Sequence, residues 1–178
     1  DVMRRAGWDV GLHRRDTEEE SRQPLYRARS AFRVSTGRGG SPDFEPATAG
    51  MVDVTVVHNL FPNFGWRWVS GRSGLLIAVM HNFRTVCASG TLFRDGHICT
   101  DCLTKLSTIP SVLHGCYRDS RLATLPLAIG NSFADHPLLS RADAVVVLSE
   151  SMADIFEAAG VERSKLYIIP NFVPEDGR

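Results

Sequence analysis

Two sets of residues in this chain have types and spacings that could do chemistry. The first is a group of cysteines, Cys87, Cys99, Cys102 and Cys116, which all fall within one stretch of 30 residues. Cys99-Thr100-Asp101-Cys102 is a Cys-x-x-Cys knuckle, which lets two thiolates reach one tetrahedral ion. The other two are separated from it by 11 residues on one side and 13 on the other, so the four could complete a structural Zn²⁺ site. His97 and His114 are substitute ligands, and Asp95-Gly96 supplies a hairpin turn between Leu92-Phe93-Arg94 and His97-Ile98. Two other readings stay open. The thiols could be reduced and metal-free, or paired as two disulfides, which need an oxidising compartment of which the sequence gives no sign. The knuckle does not open a helix after a first strand, so a thioredoxin-type redox role is disfavoured. No catalytic metal is expected.

The second set consists of polar groups that follow apolar runs: His13-Arg14, His58-Asn59, His81-Asn82-Phe83-Arg84, Ser149-Glu150 and Pro170-Asn171. In open α/β sheets ligands bind beyond the carboxyl ends of the strands. His13, His58, His81 and Arg84 are therefore expected to line a cleft. The plain alternative is that such residues only begin loops and cap helices, as Ser149, Asn59 and Asn82 could. Arg84, Arg94, Arg118 and Arg121 could bind a phosphate, against the ordinary reading of solvated surface arginines. Gly37-Arg38-Gly39-Gly40 lacks both the strand-to-helix setting and the Lys-Ser/Thr ending of a phosphate loop, and reads as a flexible linker. Phe61, Phe64, Trp66 and Trp68, with Arg67 among them, are expected in the core, with a membrane interface as the less favoured alternative.

Five runs rich in Val, Ile and Leu must position these groups: Val10 to Leu12, Val52 to Val57, Leu75 to Met80, Ala144 to Leu148 and Leu166 to Ile169. They are continuous rather than alternating, as strands of a parallel sheet buried on both faces read. Helical patterns lie between several of them. Leu122, Leu125, Ile129 and Phe133 recur at helical spacing around Pro126, which should kink the helix. Met152, Ile155, Phe156 and Ala159 form a stripe that begins at a Ser151–Asp154 capping pair and stops at Gly160. A shorter helix is expected around Tyr26 to Val34, and Asp1 to Ala6 reads as the last turn of a helix stopped by Gly7. Strands alternating with helices predict a Rossmann-like parallel sheet with helices on both faces.

Composition narrows the partners. The chain has 178 residues, with 20 basic and 20 acidic side chains, so there is no net field to attract nucleic acid. No apolar stretch approaches the roughly 20 residues of a bilayer span. Both ends read as cuts in a longer protein.

The residues also carry a family resemblance. Asp53-Val54-Thr55-Val56-Val57-His58-Asn59-Leu60-Phe61-Pro62, then His81-Asn82-Phe83-Arg84, Cys87, Gly90 to Gly96, Cys99 to Cys102, His114-Gly115-Cys116-Tyr117-Arg118 and Asn171-Phe172-Val173-Pro174 together resemble the N-terminal half of a family 4 glycosyltransferase, in a subgroup with a Cys-rich insert. The resemblance covers nearly the whole chain. It implies half of a GT-B architecture: residues 1–170 as a Rossmann-like acceptor-side domain whose first strand is missing, with a Cys-rich insert over 82–118, and 171–178 as the start of an interdomain linker. It further implies retaining transfer of a sugar from a nucleotide-sugar, held mainly by a C-terminal domain, to a polysaccharide or glycolipid precursor. His81 would be the catalytic cleft histidine, His58, Asn59, Asn82, Arg84 and Arg118 would meet the acceptor or sugar, and Asn171 would lie at the hinge. The expected location is the cytoplasm, with peripheral contact at the membrane face left open. The competing class is a non-enzymatic, zinc-bearing interaction module.

Overall fold

The computed structural model describes residues 2–42, 52–131 and 133–171. In chain order the helices before the sheet are α1 (Val2–Arg5), α2 (Thr17–Ser21) and α3 (Tyr26–Thr36). β1 (Val54–Val57) and β2 (Leu75–Val79) follow, then a small hairpin of β3 (Phe93–Arg94) and β4 (His97–Ile98). Next come α4 (Asp101–Lys105), α5 (Ile109–Leu113), α6 (Arg121–Gly130), α7 (Pro137–Ser140), β5 (Ala144–Val147), α8 (Glu150–Ala158) and β6 (Leu166–Ile168). The main sheet has the order β1-β2-β5-β6 and every pairing in it is parallel. This is the Rossmann-like α/β layer the apolar runs require, and it is consistent with half of a GT-B architecture. No described helix is long and apolar enough to cross a membrane.

The core follows from those runs. Leu76, Ala78, Val145 and Val147 have no exposed surface, and they meet Met152, Ala153 and Phe156 of α8, also closed to solvent or nearly so. The α8 stripe therefore packs as its spacing demands. Its cap lies two residues earlier than Ser151: the Ser149 hydroxyl accepts the Met152 N–H at 3.2 Å, so the helix starts at Glu150. Gly160, with φ of +99°, ends it.

Four expectations need correction. Val10 to Leu12 forms no strand, because no described strand lies beside it to take its backbone bonds, and Leu12 is 81% exposed. In α6 the periodic aliphatics are not the packed face: Leu122 is 84% exposed and Ile129 62%, while Thr124, Leu127, Ala128 and Gly130 are buried. The reason is close approach. A Cβ on Gly130 would stand 2.1 Å from the Val34 carbonyl oxygen, so only the small-residue face of α6 can meet α3. The helix runs unbroken through Pro126. Finally, the segment around Gly37 to Gly40 is docked rather than a loose linker. Gly39 accepts the Gly65 N–H at 2.8 Å and Gly37 accepts the Arg67 N–H at 3.0 Å. A Cβ on Gly65 would sit 2.3 Å from the Gly37 oxygen, so a side chain there has no room.

Candidate functional site

β1 and β2 are parallel neighbours, and each ends in a His-Asn pair. Both asparagines then turn the chain in the same way: the Asn59 side-chain oxygen accepts the Phe61 N–H at 3.1 Å, and the Asn82 oxygen accepts the Arg84 N–H at 2.9 Å. These turns leave the two histidines side by side. Nδ1 of His58 lies 3.0 Å from Nε2 of His81, and the rings stack at 5.3 Å with 19° between their planes. One ring must donate and the other accept, so the pair shares a proton and cannot comfortably carry two charges. Burial, and then the charge of His81, hold His58 below the ordinary imidazole value.

The pair opens onto a small cleft of about 70 Å³ at the carboxyl end of the sheet. His58, Asn59, His81, Asn82 and Arg84 all line it. Arg84 is held from several sides. Its guanidinium carbon stands 4.7 Å over the Phe61 ring and 5.5 Å over Tyr117, while Nη1 donates to the Ala88 carbonyl. That grip fastens the segment after β2 to the cleft wall.

Other expected site residues lie elsewhere. His13 is not in the cleft, since the strand that would have brought it there does not form; its ring turns back toward Gly11. Arg118 is exposed and stacks on the outer side of Tyr117 at 5.2 Å, one ring behind the Phe61 wall. Arg94 ion-pairs with Asp95 and Asp101, and Arg121 donates to the Leu113 carbonyl at 3.0 Å, so neither reaches the cleft. Asn171 is exposed beyond β6 and does not line the cleft; the rest of the 171–178 linker lies outside the described residues.

Sequence reasoning assigned the aromatic side chains to the core and not to the cleft. Phe61, Phe64 and Trp66 face the cleft as well as the interior. Trp66 is clamped by Gly37, donates from its indole nitrogen to the Val34 carbonyl at 3.4 Å and leans on His136 with centroids 5.5 Å apart. The one sequence signal at His136 is the His-Pro pair that opens α7. Its Nδ1 accepts the Leu138 N–H at 3.2 Å, and burial pushes its pKa down to about 4. The ring is therefore neutral at pH 7.

A model of Glycosyltransferase Family 4 matches residues 3–176. The chain belongs to glycosyltransferase family 4. No curated protein and no solved structure matches it. The only paired imidazoles among the described residues stand at the carboxyl end of the sheet, where open α/β sheets bind their ligands. A glycosyltransferase has to handle both a sugar donor and an acceptor.

The family 4 domain should also lose stability in acid through His136. Its folded pKa lies below its unfolded value of 6.5, so the unfolded chain binds the extra proton first. The contribution is complete above pH 6.5 and drains away as pH falls toward 4. By linkage this is on the order of 3 kcal/mol. Urea midpoints measured between pH 7.5 and pH 4.5 should fall more steeply for the natural chain than for His136→Asn, whose amide cannot titrate. Parallel slopes would remove His136 as the cause.

Proposed function

We propose that this chain is the acceptor-side half of a retaining glycosyltransferase, which moves a sugar from a nucleotide-sugar to a polysaccharide or glycolipid precursor. The observation that carries this reading is that the His58–His81 pair and the aromatic rings of Phe61, Phe64 and Trp66 line one cleft. A pyranose presents apolar C–H faces and a rim of hydroxyls. Phe61, Phe64 and Trp66 suit the first, and imidazole nitrogens with the Asn59 and Asn82 amides suit the second.

In this mechanism His58 orients His81 through the 3.0 Å contact and fixes its tautomer, much as a second group fixes a catalytic imidazole elsewhere. The His81 ring then makes a hydrogen bond to a hydroxyl of the reacting sugar. A retaining transfer through an oxocarbenium-like state depends more on placement and on stabilising the leaving phosphate than on a strong base. Arg84, already seated between Phe61 and Tyr117, brings a positive charge to the same cleft. A C-terminal domain would hold most of the donor.

The test joins binding to turnover. In the 178-residue chain an acceptor glycan should shift the ring resonances of His58 and His81, while a nucleotide-sugar alone should be neither transferred nor hydrolysed. With the donor domain joined on, the product should keep the donor's anomeric configuration. Robust donor turnover by the chain alone, or an inverted product, would overturn the assignment.

A further inference from the structure

The cysteines offer no built ligand set: all four are free thiols in the segment between β2 and α6, and among the described residues no group of three ligating side chains stands close enough to hold an ion. His136 offers something more definite. Of the six histidines it alone is buried, at 7% exposed, yet it lines the same cleft as the exposed His58 and His81. Its two ring nitrogens have different tasks. Nδ1 accepts the Leu138 N–H at 3.2 Å and so caps α7. A backbone N–H can only donate, so Nδ1 must present its lone pair, and the single proton of the neutral ring stands on Nε2. That N–H is a fixed donor on the edge of the ring turned away from the helix, and the side chain makes no other hydrogen bond among the described residues. A buried donor of this kind is costly to leave unpaired.

A second observation lies in the same cleft. The Thr85 hydroxyl oxygen is closed to solvent and also has no partner among the described residues, and both Thr85 and Asn131 line the cleft. Trp66 leans on the His136 ring at a tilt of 57°, held there by Gly37 and by its bond to the Val34 carbonyl. The inner part of the cleft therefore sets an indole face beside an unused N–H. That pairing suits a sugar, which offers an apolar C–H face with an accepting oxygen next to it. With only about 70 Å³ available, an edge of a sugar ring enters here and not a whole glycan.

We infer that the Nε2–H of His136 is a specificity-determining donor, which takes one oxygen of the sugar held in this cleft. The inference rests on the sugar-transfer reading above and adds to it a contact at the closed side of the site. Burial keeps the ring neutral at pH 7, so the donor has a single form there. A sugar that lacks the matching oxygen leaves a buried N–H unpaired and is rejected, a discrimination that a solvated histidine would not enforce.

The 178-residue chain, labelled with ¹⁵N, tests the tautomer and its use separately. At pH 7 the His136 nitrogens should show the shifts of a neutral ring protonated at Nε2; protonation at Nδ1, or an imidazolium, would overturn the inference. Methyl glycosides of glucose, galactose and mannose, with their monodeoxy derivatives, are the probes. The glycoside that moves the His58 and His81 rings should move His136 Nε2 as well, and one of its deoxy derivatives should bind roughly 10-fold more weakly. His136→Asn keeps an acceptor for the Leu138 N–H but has no group that reaches as far as Nε2. It should bind the parent glycoside roughly 10-fold more weakly and no longer discriminate against that derivative, with its urea midpoint at pH 7.5 little changed. His136→Gln carries an amide N–H near the Nε2 position but caps poorly, so it should regain part of the affinity at a lower midpoint. The reverse order, or unchanged affinity in both variants, would reduce His136 to a cap and overturn this inference alone. Should neither variant fold, the Nε2 shift and the deoxy series on the natural chain still decide. A chain in which no glycoside moves any of the three rings would overturn the sugar-binding reading itself, and this contact with it.

Discussion

Replacing His81 by Ala is expected to lower kcat by roughly 10²-fold or more in the protein that carries its donor-binding domain, the scale of removing one positioned polar group at a reacting centre. The argument rests on where the ring is held. His81 ends β2, and the Asn82 turn fixes the backbone behind it. Its Nε2 meets His58 at 3.0 Å, which leaves the rest of the ring to the cleft. Donor KM should move little if, as proposed, a second domain makes most of the donor contacts. His58→Ala should also slow the reaction, and should alter the pH profile as well, since it removes the partner that shares the proton. His13→Ala is the control, its ring lying outside the cleft beside Gly11. Equal and small effects at His81 and His13 would show that the reacting sugar sits elsewhere.

Phe156→Ala is expected to destabilise the fold by about 3–5 kcal/mol, the usual range for emptying a fully buried aromatic site. Phe156 has no exposed surface, and its ring stacks on Phe83 with centroids 6.2 Å apart. Phe83 is two residues past His81 and one before Arg84, so α8 supports the cleft from beneath through this contact. The substitution should therefore shift the urea midpoint strongly and broaden the His81 ring resonance in whatever protein remains folded. Phe156→Leu, which keeps more of the volume, should cost less than half as much. Leu122→Ala, on the exposed face of α6, should change stability by less than about 0.5 kcal/mol. A loss under about 1 kcal/mol for Phe156→Ala would mean that the core is organised around other side chains.

The sheet was legible because strands covered on both faces must be apolar throughout. Leu75 to Val79 and Ala144 to Val147, in the middle of the sheet, meet that demand, whereas the edge strands Val54 to Val57 and Leu166 to Ile168 are only partly covered and carry Thr55 and Tyr167; the histidines that follow β1 and β2 line the candidate cleft. Val10 to Leu12 meets it locally and still fails, since a strand is made by its neighbour and not by its own side chains. Periodicity identified α6 as a helix but not which way it faces. That was settled by Gly130 against the Val34 carbonyl, a steric fact with no signature in hydropathy. Arg118 stacks on Tyr117 and Asn171 is exposed beyond β6, and neither lines the cleft; that position goes to Arg84, seated between Phe61 and Tyr117. His136 and Trp66 were hidden for a different reason. Each reaches the cleft through contacts with segments distant along the chain, and single-sequence spacing is blind to those.

The backbone bonds from Gly65 and Arg67 to Gly39 and Gly37 bear on the order in which the molecule assembles. The sheet can begin from β1 and β2, which are close in sequence, whereas the aromatic wall cannot. Trp66 finds its seat only when the end of α3 has arrived against it, and α3 is itself placed by α6, far downstream. Contacts of such sequence separation form late, because loop closure must be met before they contribute anything. The histidine side of the cleft and its aromatic side are thus completed at different times during folding. A chain caught between the two would already have its strands paired but would offer a sugar only one wall.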